Sequence, residues 1–373
     1  MKINHIDSHK KDNVLRRVGV VFIAFVINAD VIGQTSDLFI PFFEHYFLMQ
    51  KGIDARSTGL AFSEFALSES ICGTQNAASY MYNLPNADIE IEYGGDIHSK
   101  LKNLSRGGHF GIRCNGLIIT GCYETIDEKI INKDSLNTRS NFGLLKIGGA
   151  GQITSNMGWG IFINHKNVWS GTKILRQKIL EQIESNPGFS LSLGLSGNIS
   201  DIIYGGIHTS FSLPDSFFIK DNDVVDTAET SIFFDFGLGL SFRPEYHLKV
   251  STKVQYIKCK DCVFKCKNQK YNFFDDVLLG GIGFEYYFPF KRSMLVLRGG
   301  YEWTSNLLVA DIVNKQLGTS FLYKEYQRHL ISFGIGYSLP YGSIDLAIPF
   351  TIRSYGTREA RQIGFLISHS VCL

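Results

Sequence analysis

The stretch SIFFDFGLGLSF at 231–242 puts Ile232, Phe234, Phe236, Leu238, Leu240 and Phe242 on one side of an extended chain, and Ser231, Phe233, Asp235, Gly237, Gly239 and Ser241 on the other. Side chains in a β-strand alternate with a period of two, so this is a strand with one apolar face and one small, mostly polar face. One such strand serves a soluble sandwich with its apolar face inward, or a membrane barrel with that face outward. The number of such strands and the lengths of their connections decide between the two.

Alternating segments recur from residue 88 to the C-terminus, about fourteen in all, an even number in the range of bacterial outer-membrane barrels. Every second connection is a tight turn, around 115, 155, 198, 244, 290 and 341, the first carrying the hairpin pair Asn115-Gly116. The connections between them are long and polar, at 95–106, 127–138, 169–187, 214–229, 259–275 and 305–325, with a shorter one near 356. Membrane barrels keep short turns on one rim and longer loops on the other, and a sandwich has no reason to do so. The expected fold class is therefore all-β: a transmembrane antiparallel barrel over 88–373, its apolar rows facing lipid. The loops at 169–187 and 259–275 are expected outside and the turns near 198 and 244 in the periplasm. Charges then belong on the inner row, and Asp235, Arg298, Glu302, Asp345 and Arg353 are the candidate lumen charges. Tyr286, Tyr287, Phe288, Phe290, Tyr337 and Tyr341 gather near the short turns, where an interfacial aromatic girdle is expected.

The chain opens with HKKDNVLRR followed by VGVVFIAFVINADVIG. A basic run before a short apolar run, with small residues at Val31 and Gly33, reads as a signal peptide over 1–33. Nothing after residue 34 has the roughly 20 unbroken apolar residues of a membrane helix, so any crossing is made by strands. The expected location is the outer membrane of a Gram-negative cell. Charged residues are 19% of the chain and the net charge is +2, which gives no electrostatic reason to expect nucleic acid.

Residues 34–87 lack the hairpin repeat. About eight strands already fill a barrel with side chains, so a lumen of fourteen has room for this segment as an N-terminal hatch or plug. Arg56 placed there needs a carboxylate, with Asp235, Asp345 and Glu302 as inner-row candidates, or else water around it. GTKILRQKILEQIESN at 171–186 carries apolar residues at helical spacing and is expected to form a helix at the rim.

Cys259, Cys262 and Cys266 are weak candidates for a zinc site, because a closed site takes four ligands; a disulfide plus one thiol accounts for them equally well. Cys72, Cys114, Cys122 and Cys372 are too scattered to pair from sequence, and His208 and His369 read as wall positions. Pieces such as IGGAG and LLGGIGF read as wall where side chains must be small, not as nucleotide loops. No set of nucleophile, base and orienting group is legible, so neither enzyme activity nor a cofactor is expected.

IDARSTGLAFSEFALS, followed by NAASYMYNLPNAD and a first strand, resembles the N-terminal signature of FadL-like outer-membrane barrels. In its Asp-Ala-Arg-x-x-Gly portion it is most similar to the PorV and PorQ proteins of type IX secretion systems. The resembling plug positions are Asp54, Ala55, Arg56 and Gly59, then Asn83, Pro85 and Ala87, where Leu84 and Asn86 interrupt the family's Asn-Pro-Ala triplet. The resemblance implies a fourteen-stranded barrel with a hatch and one of two roles. FadL-type members pass long-chain fatty acids and other hydrophobic compounds; PorV-type members bind a large translocon barrel and secreted cargo.

Ser190, Ser192, Gly194 and Ser196 line an inner row with the charges above and suit a wet interior, with Phe233 and Leu366 as exceptions. That pattern, the Asp54-Ala55-Arg56 stretch and the long outer loops favour the secretion role, with other secretion proteins or cargo as partners. The alternative is transport of a hydrophobic ligand, for which LFIPFFEHYFLM at 38–49 could supply an apolar pocket.

Overall fold

The computed structural model describes residues 54–64, 66 and 70–72 of the N-terminal segment. It also describes 89–373, apart from short stretches at 101–102, 131–135, 174–178, 186–187, 222–223, 230–231, 259–262, 267–268, 273–275, 306, 316–317 and 356–357. The signal peptide, Asn83, Pro85, Ala87 and the 38–49 stretch lie outside the described residues.

Fourteen long strands form the wall. They are β1 (Ile89–Lys100), β2 (Asn103–Cys114), β3 (Leu117–Ile130), β4 (Leu136–Thr154), β5 (Met157–Lys173), β7 (Gly188–Ser200), β8 (Ile203–Ser212), β11 (Phe233–Glu245), β12 (Leu248–Lys258), β15 (Val277–Pro289), β16 (Met294–Thr304), β18 (Gly318–Leu339), β19 (Gly342–Tyr355) and β20 (Arg358–Cys372). Each pairs antiparallel with its neighbours in chain order, and β20 closes on β1 over Glu90↔Cys372 to Ser99↔Ile363. The remaining strands, β6 (Ile179–Ser185), β9 (Ser216–Asp221), β10 (Val224–Glu229), β13 (Val263–Cys266), β14 (Gln269–Asn272) and β17 (Leu307–Lys315), all belong to the rim that carries the long connections.

The long connections are thus less loop-like than their polarity predicts. β1 and β2 pair up to Lys100↔Asn103 and β17 pairs with β18 up to Lys315↔Gly318, so most of 95–106 and 305–325 is sheet. The helix expected at 171–186 is not formed either. Gly171–Lys173 ends β5, and Ile179–Ser185 is a strand between β5 and β9. β-Branched Ile179 and Ile183 suit a strand, and beside β5 unpaired ladder groups outweigh local helical periodicity.

The alternation resolves as expected. Leu238 and Leu240 on β11 are 47% and 51% exposed on the outer surface, while Phe233, Asp235 and Ser241 are buried inside. A closed wall leaves no ladder edge in hydrocarbon, and the outward apolar row is the surface lipid requires. Tyr286, Phe288, Phe290, Tyr337 and Tyr341 face outward near the short-turn rim. Tyr287 does not join them: the period of two turns it into the lumen, where its hydroxyl donates to Glu285 Oε2 at 2.8 Å. Asn115 has φ +52, the left-handed conformation that its Asn-Gly hairpin needs.

The described part of the N-terminal segment lies inside the barrel, in the half nearest the short turns. A short helix, α1 (Ala55–Gly59), packs against β16, β18, β19 and β20. Wall glycines make room for it. A Cβ on Gly59 would lie 3.2 Å from Gly334 Cα, and one on Gly300 would overlap the Leu60–Ala61 backbone. Gly300→Val is therefore expected to shift the plug while the barrel still closes. Relative to wild type it should lose about 1–3 kcal/mol of stability, the usual cost of overpacking, in denaturant unfolding of the detergent-solubilised protein. Protease should also reach the plug sooner.

Candidate functional site: the lumen and its plug

The Asp54-Ala55-Arg56 stretch seats the plug. Asp54 caps α1, its Oδ1 accepting from the Ser57 N–H at 2.9 Å. The Ala55 N–H donates to Ser368 Oγ on β20 at 2.7 Å. Arg56, on the next position, donates through Nη2 to Glu285 Oε1 on β15 at 2.8 Å.

Glu285 is the hub of a buried charge network. Arg298 Nε meets its Oε1 at 2.8 Å and Lys249 Nζ its Oε2 at 3.0 Å. Arg298 also holds Asp345 at 2.5 Å, and Lys249 holds the plug's Glu64 at 2.5 Å. Three cations and three carboxylates balance, and two of the six, Arg56 and Glu64, come from the plug. Beside them Glu302 takes Lys253 at 2.5 Å and Arg328 at 3.4 Å. A buried network of this kind is poor evidence of net stability against an apolar core, but removing one member leaves an uncompensated charge and costs several kcal/mol. It specifies where the plug sits.

All five candidate lumen charges face inward. Asp235 accepts from Ser210 Oγ at 2.7 Å and lies 3.4 Å from His208 Nε2. Arg353 is half-buried towards the long-loop rim and donates to Gln362 Oε1 at 2.6 Å. The expected partner of Arg56 is corrected, however: it is Glu285, with Asp345 one arginine further on and Asp235 and Glu302 elsewhere. Glu285 was hidden among the aromatics of FEYYF, yet counting by twos from Gly283 places it inside. Below the network, at the short-turn mouth, a cavity of about 1120 Å³ is lined by Arg56, Glu90, Tyr204, Arg243 and Tyr287 among others.

The lumen is not uniformly wet. Towards the long-loop rim Phe142, Phe233, Ile257, Leu279 and Tyr326 are buried on inner rows, whereas Phe162 packs against the plug's Ile71 and Leu330 against its Ala61 and Phe62. Lys166 Nζ lies 4.4 Å from the centre of the Phe233 ring, and Lys146 Nζ lies 5.9 Å from that of Phe162. Ser190, Ser192 and Ser196 do face inward, but they are one sector of the wall, and Ser196 Oγ donates to the plug's Ala66 carbonyl. Reading the serine-rich strand alone gave too polar a lumen; NFGLLKIGG on β4 brings Phe142 and Leu144 inside.

Cys259 and Cys262 lie outside the described residues, and Cys266 is described in its backbone only, as the end of β13. Cys72, on the plug, is buried. Burial pushes its thiol well above the ordinary range, and the charges of Glu92 and Asp54 push the same way.

No protein-family model matches the chain, and no curated protein sequence matches it. Solved structures do. The Pseudomonas putida toluene transporter TodX aligns at 13% identity with a TM-score of 0.56, covering 86% of this chain and 98% of its own. The Ralstonia pickettii toluene transporter TbuX aligns at 12% identity and 0.55, covering 87% and 100%. A Pseudomonas aeruginosa FadL homologue aligns at 10% identity and 0.54, covering 86% and 99%. At such identities the likeness is one of fold. The chain is a closed fourteen-stranded barrel that shares its fold with these proteins, and its outward apolar belt places it in the outer membrane.

Glu285→Gln leaves Arg56, Lys249 and Arg298 facing an amide. It is expected to destabilise plug seating by about 3–5 kcal/mol, read as faster proteolysis of the plug and raised ion conductance in planar bilayers. Asp235→Asn, remote from the plug network, should leave both readouts near wild type.

Proposed function

We propose that the chain is a channel for hydrophobic small molecules across the outer membrane. The observation that carries this reading is the division of the lumen. Apolar and aromatic side chains from β4, β11, β12, β15 and β18 are buried beside Asp235 and Arg353 in the half towards the long-loop rim, and a plug fixed by ion pairs closes the half towards the short turns. A ligand site of this class is mostly apolar with few polar groups, and the solvent-poor collar supplies that surface. The fold shared with toluene transporters and a FadL homologue agrees. Lipid and a hydrophobic ligand are then the partners, and neither a cofactor nor a catalytic group is assigned.

The secretion-linked reading rests on the Asp54-Ala55-Arg56 stretch, on a polar inner row and on the long outer connections. Each residue of that stretch has a role in seating the plug, as cap, as backbone donor and as ion-pair partner, so the motif is accounted for without secreted cargo.

The test is uptake of a labelled monoaromatic hydrocarbon or long-chain fatty acid by cells that lack other channels of this fold. Phe142→Glu and Phe233→Glu, introduced together into the collar, are expected to cut uptake about tenfold or more, because each buries a carboxylate on the apolar path, while surface amounts of folded barrel stay unchanged. Equal uptake with and without the wild-type protein would rule the reading out.

A further inference from the structure

A second place where the plug meets the wall carries the donor set of a metal centre. Cys72 on the plug, Glu92 on β1 and His109 on β2 are all buried, and a ligand atom from each lies within 4.8 Å of the other two. The register explains how distant residues converge. Glu92 pairs with Gly111 and Gly94 with His109 across the first hairpin, which puts both side chains on the inner face two residues apart. Gly111 leaves the space for the thiol: a Cβ there would lie 2.8 Å from Cys72 Sγ.

The ligands are held in place. Glu92 Oε2 accepts from the Ile71 and Cys72 N–H groups at 2.8 and 3.1 Å and from Ser70 Oγ at 3.2 Å. His109 Nε2 is 2.9 Å from Ser368 Oγ, the same hydroxyl that accepts from the Ala55 N–H. Such outer contacts fix imidazole and carboxylate orientation around metals. His109 Nδ1 and Asp54 Oδ2 are buried with no hydrogen-bond partner among the described residues.

Charge points the same way. Glu64, Glu285, Glu302 and Asp345 each have a lysine or arginine within 3.4 Å. Glu92 and Asp54 are as deeply buried, and among the described residues neither forms an ion pair. Two buried carboxylates without a contacting cation are expensive.

We propose that Cys72, Glu92 and His109 bind a divalent cation of the zinc class, clamping the plug to the first hairpin. A thiolate, an imidazole and a carboxylate suit zinc, whose bonds of about 2.0–2.3 Å require tetrahedral ligand atoms closer together than the limit given above by only about 1 Å. The site is separate from the collar and does not depend on what passes through the barrel.

The full-length protein, purified in detergent from zinc-supplemented cells and dialysed, is assayed for metal by plasma mass spectrometry. About one zinc per chain is expected. Cys72→Ser and His109→Gln are each expected to weaken retention about tenfold or more while the barrel stays heat-modifiable on gels, and cobalt-loaded protein should lose its thiolate charge-transfer absorption in Cys72→Ser. If either variant fails to fold, Glu92→Gln, which keeps an acceptor for the Ile71 and Cys72 N–H groups, takes its place. Folded wild type without zinc, zinc retained equally by the variants, or a peptide linking Cys72 to Cys122 would each overturn the proposal.

Discussion

The structure depends on one constraint: a backbone in hydrocarbon has no water to satisfy its N–H and C=O groups. The β1–β20 ladder meets it by closing the sheet, pairing the first wall strand with the last over ten residues from Glu90↔Cys372 to Ser99↔Ile363. With no edge left, alternation assigns each side chain to lipid or lumen. Leu238 and Leu240 go out; Asp235 goes in. The polar residues that a soluble sheet would turn to water are gathered in the lumen, where the plug meets them.

Close packing and charge then divide the work of holding the plug. Gly300 and Gly334 bring wall and plug backbones together, which gives shape but little discrimination between nearby positions. The Arg56–Glu285 and Glu64–Lys249 pairs supply that discrimination, because a plug displaced by a few ångströms strands several buried charges at once. The network is neutral as a whole, so it can be buried, and it is intolerant of losing a member. A collar of Phe142, Phe233 and Tyr326 lies beyond it, away from the plug's ion pairs.

Most of the wall was legible in the sequence, because a period of two and an alternation of tight and long connections are local signals. The strand at Ile179–Ser185 was not: its apolar spacing is helical, and only pairing with β5 and β9 makes it a strand. Within the site, alternation alone puts Arg298, Glu302 and Asp345 inside, whereas Glu285 and Tyr287 sit in an aromatic run whose composition points to the girdle. The union of Cys72, Glu92 and His109 was invisible because barrel register, not chain spacing, brings it about. The apolar collar draws single residues from several strands, and no one segment announces it.

The account's central claim is that this barrel carries a hydrophobic small molecule and not a protein client. Native mass spectrometry of the protein extracted from outer membranes in mild detergent tests it most directly. The account predicts a barrel with a small hydrophobic adduct that leaves under mild activation and that is lost when Phe142 and Phe233 are both replaced by glutamate. A stoichiometric complex with a much larger barrel or with secreted protein, and no small-molecule adduct, would contradict it.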